Sequence, residues 1–295
     1  MFENSSVLVI AGGTHANQIY RIEVDERTQE AICKAFSNAK NDLVDGKEAI
    51  EFDGSYKPNI NEFLYIPNYL MADEIKDAIR DPLGVAKFEC ISGEFPEIKA
   101  IFVGERTEEG TSEQFKIAFQ KFKKEQYIST KWYNLFFENS AFLRRESYGI
   151  SISDMIECYY DNGRLMFASF YYAKQIFELG AYYRIATEGE VNAFSSHTKL
   201  SLEDADGFNK MADTWIRRKI AMINDSDVLN NYAADVISQY ANKCGICIDI
   251  DHERIVIPND KQRVKAILGF LDEEAYKGPF SQNTYLANSK RQIGR

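Results

Sequence analysis

No apolar run in this 295-residue chain reaches the roughly 18 residues that cross a bilayer. The opening MFENSSVLVIAGG has an acid before its short apolar run, where a secretory signal carries basic residues. The expectation is a cytoplasmic protein, with any membrane location coming through a partner. Cysteine is sparse and odd in number: Cys33, Cys90, Cys158, Cys244 and Cys247. That count argues for reduced thiols rather than a disulfide framework. Only Cys244-Gly-Ile-Cys247 has motif spacing. A structural zinc site needs two further ligands, and no second such pair exists. Buried small apolar residues is therefore the reading for the cysteines.

The usual catalytic texts are missing as well. Gly12-Gly13 follows an apolar run, but neither a GxGxxG nor a Gly-Lys-Ser/Thr accompanies it, so it reads as a turn and not a phosphate loop. Histidine occurs three times, at 15, 197 and 252, never in a nucleophile–base pattern. The chain calls for no cofactor and offers no catalytic set. The one enzyme-like cluster is Asp249, Asp251, His252 and Glu253. Carboxylates beside an imidazole could hold a divalent metal and cleave a phosphodiester. Alternation, however, puts Asp249 and Asp251 on one side of a strand and Ile248 and Ile250 on the other, and a solvated hairpin turn explains them fully.

What is present is a large apolar and aromatic content, 45% and 13%, enough for a packed core. The net charge of −10 is unevenly spread. Residues 1–113 hold 11 basic and 22 acidic residues, leaving 24 and 23 for the remainder. An acidic third repels phosphates, so any nucleic-acid contact belongs after residue 113.

The fold class that follows is α+β: antiparallel sheet segments with a helical C-terminal half. Ser6–Ala11 and Gln18–Val24 read as a hairpin. Thr28 reads as the cap of a helix with Ile32, Ala35, Phe36 and Leu43 on its apolar stripe and Gly46 as its stop. Met71–Arg80 is a helix ended by Asp81-Pro82. ERTEEGTS, residues 105–112, reads as a charged flexible boundary, giving an acidic α+β domain over 1–112 and a second domain over 113–295. Residues 114–170 read as an antiparallel meander with Asn162-Gly163 at a tight turn. Asp206–Asn224 reads as one amphipathic helix bearing Phe208, Met211, Trp215 and Ile220. Val228–Lys243 is its neighbour. A hairpin around Asp251-His252 and a helix with Val264, Ile267, Leu268 and Leu271 follow, and Leu268, Phe270, Leu271, Phe280 and Tyr285 are expected to close the core.

Basic residues cluster in the second domain. Lys121, Lys123 and Lys124 form one group, with Lys131 close behind. Arg144 and Arg145 form the next, then Arg217, Arg218 and Lys219, then Lys261, Arg263 and Lys265, and finally Lys290, Arg291 and Arg295. Aromatics lie near them: Phe122, Tyr127, Trp132, Tyr133, Trp215, Tyr276 and Tyr285. Cations along a groove with interleaved rings suit sequence-independent nucleic-acid binding. Ordinary solvated surface accounts for any one cluster, so only convergence in space would favour the DNA reading. The candidates carried forward are Lys121, Lys123, Lys124, Arg144, Arg145, Arg217, Arg218, Lys219, Lys290 and Arg291.

The closing text ILGFLDEEAYKGPFSQNTYLANSK carries a further signal. A helix ends in Phe270-Leu271-Asp272. A Gly278-Pro279-Phe280 turn follows, then Thr284-Tyr285 and a final Ser289-Lys290. Upstream, GISISDMIECYYDNGRLMFASFYYAKQIFEL pairs a hairpin at Asn162-Gly163 with a helix bearing Phe177. These stretches resemble the KwaB-like family of the Kiwa anti-phage defence system, over residues 95 to 293. The resemblance implies a non-enzymatic effector that binds DNA without sequence preference and blocks phage DNA replication and late expression. It also implies a homo-oligomer, with a dimer the first expectation, and a KwaA-like membrane-protein partner. It transfers no catalytic residues. A metal-dependent nuclease using Asp249, Asp251 and His252, and a scaffold protein with no DNA contact, remain the alternatives.

Overall fold

The computed structural model describes residues 2–12, 18–54, 56–89, 95–109, 112–128, 133–144, 146–182, 184–287 and 290. It is an α+β fold with antiparallel sheet segments and helices through the C-terminal half. The chain divides into two compact units. The first is Met1–Phe52 with Pro58–Leu179, and the second is Asp53–Lys57 with Gly180–Arg295.

The first unit is built on one eight-stranded sheet. Its strands are β1 (Val7–Ala11), β2 (Gln18–Ile22), β3 (Glu48–Glu51), β4 (Glu62–Ile66), β5 (Ile98–Glu109), β6 (Ser112–Lys121), β11 (Cys158–Asp161) and β12 (Arg164–Phe167). Their order is β2-β1-β5-β6-β11-β12-β4-β3. Neighbours run antiparallel except β3 and β4. All five residues of β1, VLVIA, are buried, as a strand covered on both faces requires. On one face α1 (Glu26–Val44) sets Cys33, Phe36 and Leu43 against Val7, Val9, Ile101, Val103, Ala118 and Tyr159. On the other, α2 (Asp73–Arg80) and α3 (Phe170–Ile176) pack on β5 and β6. There Phe119 meets Phe102 at 5.4 Å and Phe177 at 4.8 Å between ring centroids. Gly104 in β5 makes room for α2: a Cβ there would stand 2.5 Å from Ile79 Cδ1.

Two expectations shift here. Asp25, not Thr28, caps α1; its carboxylate accepts the Thr28 backbone N–H at 2.9 Å. Residues 105–109 and 112 continue the ladder rather than ending a domain, with Glu105 facing Lys116 and Glu109 facing Ser112. The division expected at 112/113 therefore falls within one antiparallel hairpin whose strands share a core. The compact units part instead at Leu179 and Gly180. The turn at Asn162-Gly163 stands as read, with φ of 45° and 87°.

Between β6 and β11 the chain leaves the large sheet. After a short turn at Lys124–Gln126 come β7 (Tyr127–Ile128), β8 (Leu135–Glu138), β9 (Ala141–Arg144) and β10 (Gly149–Ile150). β7 pairs with β10, and β8 pairs with β9. The two antiparallel pairs are nested, with β8 and β9 lying between β7 and β10 along the chain, and together they make a ribbon. Asn139 and Ser140 turn its tip with φ of 48° and 64°.

The second unit has its own core. Its helices are α4 (Glu188–Ser195), α5 (Ala205–Met211), α6 (Thr214–Ser226), α7 (Val228–Asn231), α8 (Ala234–Lys243) and α9 (Lys261–Leu271). They enclose Phe194, Phe208, Ile216, Ile220, Ile237, Val264, Ile267 and Leu268. A small sheet adds β13 (Leu200–Leu202), β14 (Ile250–Asp251) and β15 (Arg254–Ile257), with β15 central. β16 (Ala275–Lys277) and β17 (Thr284–Leu286) form the closing hairpin. The single helix expected over 206–224 is two, because Asp213 accepts the Ile216 N–H at 3.0 Å and caps a new start. Leu268 and Leu271 are buried as expected and Phe270 packs against the core. Phe280, at 98% exposure, and Tyr285 do not close the core. They lie in and beside the hairpin turn, where Tyr285 stacks on Tyr276 instead. Cys33 and Cys158 are buried, but Cys247 is exposed.

Candidate nucleic-acid interface

The basic clusters separate into two kinds once their partners are seen. Arg217, Arg218 and Lys219 sit on α6, and none of them is a loose surface cation. Lys219 is buried at 5% exposure. Its ammonium donates to Asp272 Oδ2 at 2.5 Å and to Glu274. Arg217 is half-buried and its guanidinium donates to the carbonyls of Ala212 and Ala186, at 3.1 and 3.3 Å. Arg218 is half-buried too. Of the three, Lys219 alone points into the core, and the two arginines flank it half-buried. Lys290 donates to the Asp272 carboxylate at 2.7 Å and to the Asp272 carbonyl. It ties the end of the chain to the same buried carboxylate that holds Lys219. Lys219 and Lys290 thus carry a buried ion network, and a phosphate would have to displace Asp272 to reach them. Arg291 lies outside the described residues, as do Arg145, Lys131 and Trp132.

The other kind lies at and around the 127–150 ribbon. Residues 121–150 hold six basic and three acidic side chains, a net positive stretch in a chain of net charge −10. Lys121 is half-buried and donates to the Phe122 carbonyl at 3.0 Å. Lys123 and Lys124 are exposed just ahead of β7, and the Lys123 ammonium stands 5.6 Å from the centre of the Tyr172 ring. Arg144, at the end of β9, lies 4.6 Å over the Tyr133 ring and pairs with Glu146 at 3.0 Å. Such an exposed pair is weak and exchangeable.

Of the ribbon's rings, the sequence reading includes Tyr133 but neither Phe137 nor Phe142. Tyr133, Phe137 and Phe142 are exposed at 78%, 66% and 67%, with Leu135 and Leu143 exposed beside them. Register explains the grouping. Leu135 faces Arg144 and Phe137 faces Phe142, so these four share one face, and Tyr133 precedes them at the period-two spacing. Phe137 and Phe142 meet edge to face at 5.2 Å. The signal was available in the text as LFFENSAFLR, two apolar runs flanking Asn-Ser, but composition cannot tell a buried hairpin from an exposed one.

The candidate metal cluster is a turn. His252 and Glu253 have φ of 47° and 63°. His252 Nδ1 bonds Asp251 at 2.8 Å, and Asp249 is engaged by Arg263 at 2.8 Å. Among the described residues no three His, Cys, Asp or Glu side chains are grouped to hold a metal ion, and no helix is long and apolar enough to cross a membrane. Comparison with protein-family models, with curated proteins and with solved structures gives no match.

Proposed function

We propose that this chain is a non-enzymatic effector of anti-phage defence that binds DNA without sequence preference, in the manner of the KwaB-like proteins its closing text resembles. The observation that carries the DNA reading is the cationic, ring-bearing ribbon at 121–150 within an otherwise acidic chain. Cations without a fixed hydrogen-bonding pattern suit phosphates and read no bases. In this reading Lys123, Lys124 and Arg144 take the phosphates, Lys121 supports them, and Arg145 extends the set. The acidic N-terminal third keeps DNA to that one surface. The chain self-associates and acts beside a small membrane-protein partner, which brings it to the envelope. Binding there blocks phage DNA replication and late expression.

The test is DNA binding by the full chain over a salt series. Binding is expected to weaken steeply with salt. Lys123→Glu and Lys124→Glu should lower affinity equally for unrelated sequences, each removing roughly one unit of the log–log salt slope. Plasmid incubated with magnesium or manganese should be shifted and remain intact, with Asp249→Ala indistinguishable from the parent. Absence of DNA retention at low salt, with and without the membrane partner, would sink the reading. Cleavage lost on Asp249→Ala would replace it with a nuclease.

A further inference from the structure

We infer that the ribbon face bearing Tyr133, Leu135, Phe137, Phe142 and Arg144 is a stacking platform for unpaired bases, so that the preferred ligand is single-stranded DNA. The inference rests on the nucleic-acid reading above and narrows it to one form of DNA.

Three observations lead there. The first is what is exposed. An isolated two-stranded hairpin is marginal in water, and β8 and β9 pair only with each other. Yet the face holds three rings at 66% exposure or more. Contiguous exposed apolar surface of this kind marks a binding site. The second is how the rings are held. The Arg144 guanidinium stands over Tyr133 at 4.6 Å from the ring centre, and Phe137 and Phe142 form an edge-to-face corner at 5.2 Å. These are two stations on one face, separated by Leu135. Alternate strand residues repeat at about 6.8 Å, so an extended strand of nucleic acid laid along β8 meets one station and then the other. Every base has a π face, so such stations are indifferent to sequence. The third is charge. Lys123 and Lys124 stand exposed on the approach and Arg144 on the face itself, in a stretch, 121–150, whose sequence holds six basic and three acidic residues, and this charge complements a phosphate backbone.

Duplex DNA does not satisfy the first observation. Its base faces are stacked inside the helix, and it offers phosphates and groove edges to an aromatic ring. A second copy packed ribbon to ribbon would set the same cations against each other, because a two-fold contact matches a patch with itself.

The experiment uses the full chain with oligothymidine and with a duplex of equal length, followed by fluorescence anisotropy at fixed low salt. The single strand is expected to bind roughly tenfold or more tightly. The double variant Phe137→Ala with Phe142→Ala should lose that preference and keep its salt-sensitive duplex binding. Both rings are exposed, so the fold should be unaffected, which circular dichroism checks. Phe137→Trp should retain affinity, and the added indole emission should be quenched by oligothymidine. Equal affinity for the two forms, or a double variant that keeps the preference, overturns the inference while the DNA reading stands. No binding of either form overturns both. A double variant that binds single strands normally but becomes monomeric in sedimentation assigns the face to a second copy. One that binds them normally but no longer floats with anionic vesicles assigns it to a lipid surface. Either of these last results overturns the inference.

Discussion

Lys219 is the residue whose role changed most between text and structure. In the text it completes a Arg-Arg-Lys run and reads as surface charge. In the structure its ammonium is buried between Asp272 and Glu274, with Lys290 holding the far side of Asp272. Two cations and two carboxylates leave the cluster neutral, which is how a buried charge is tolerated. Removing Lys219 leaves two carboxylates to one cation in a low-dielectric site, with Glu274 losing its ammonium partner. Lys219→Met is expected to destabilise the second unit by about 3 kcal/mol, read by denaturant unfolding, while DNA affinity stays unchanged. A phosphate-binding Lys219 would give the reverse pattern. Aliphatic reach also mattered: the ammonium sits 5.4 Å from the Trp215 ring centre, a contact that spacing along α6 suggests but does not require.

Elements were largely legible, and their ends were not. Helix periodicity over 206–224 reads as continuous, because Phe208, Met211, Trp215 and Ile220 keep the stripe in phase across a break. Asp213 makes the break by capping α6. The Lys261 ammonium beside it, and then the Ile216 N–H, hold its carboxyl below the usual value. A depressed carboxylate stabilises the fold above its unfolded pKa, and that contribution is lost as pH falls through the folded one. Asp213→Ala is therefore expected to cost about 1 kcal/mol near neutrality. The difference should shrink on acidification below pH ~4, and Asp213→Asn should recover most of the cap. Thermal melts at several pH values check this. Thr28 reads as a cap for a related reason. It stands three residues into α1 from Asp25, and both of its donors are turned back onto that carboxylate.

At the scale of the molecule the described residues form one core on the large sheet and another around α6 and α9. Each buries large side chains from its own segment, so each should unfold as a cooperative unit. Calorimetry is expected to resolve two transitions. Ile220→Ala opens a cavity beside α9 and should lower only one of them, by about 2–5 kcal/mol of stability. A single transition that shifts as a whole would show that the units do not unfold separately. The unit boundary at Leu179 was hidden in the text because nothing marks it. Neither a Pro-rich nor a Ser-rich linker stands there, whereas the charged run at 105–112 looks like a linker, yet its residues 105–109 pair with 112–116 in the sheet. Charge and flexibility are properties of single residues, but a domain boundary is a deficit of contacts, and contacts between β5, β6, β11 and β12 exist only once the sheet is assembled.

The sequence alone determined the class of fold, the hairpin at Asn162-Gly163, the buried stripe of α9 and the confinement of acidity to the first third. Each of these depends on local spacing or composition: period two, period 3.6, residues that accept positive φ, and summed charge. Only the tertiary structure decided which cations face water. Arg217, Lys219 and Lys290 are engaged by carbonyls or carboxylates far along the chain, while Lys123 and Lys124 stay exposed. It alone decided that the LFFENSAFLR hairpin leaves its rings outside, for an apolar run has the same spelling whether or not another surface arrives to cover it.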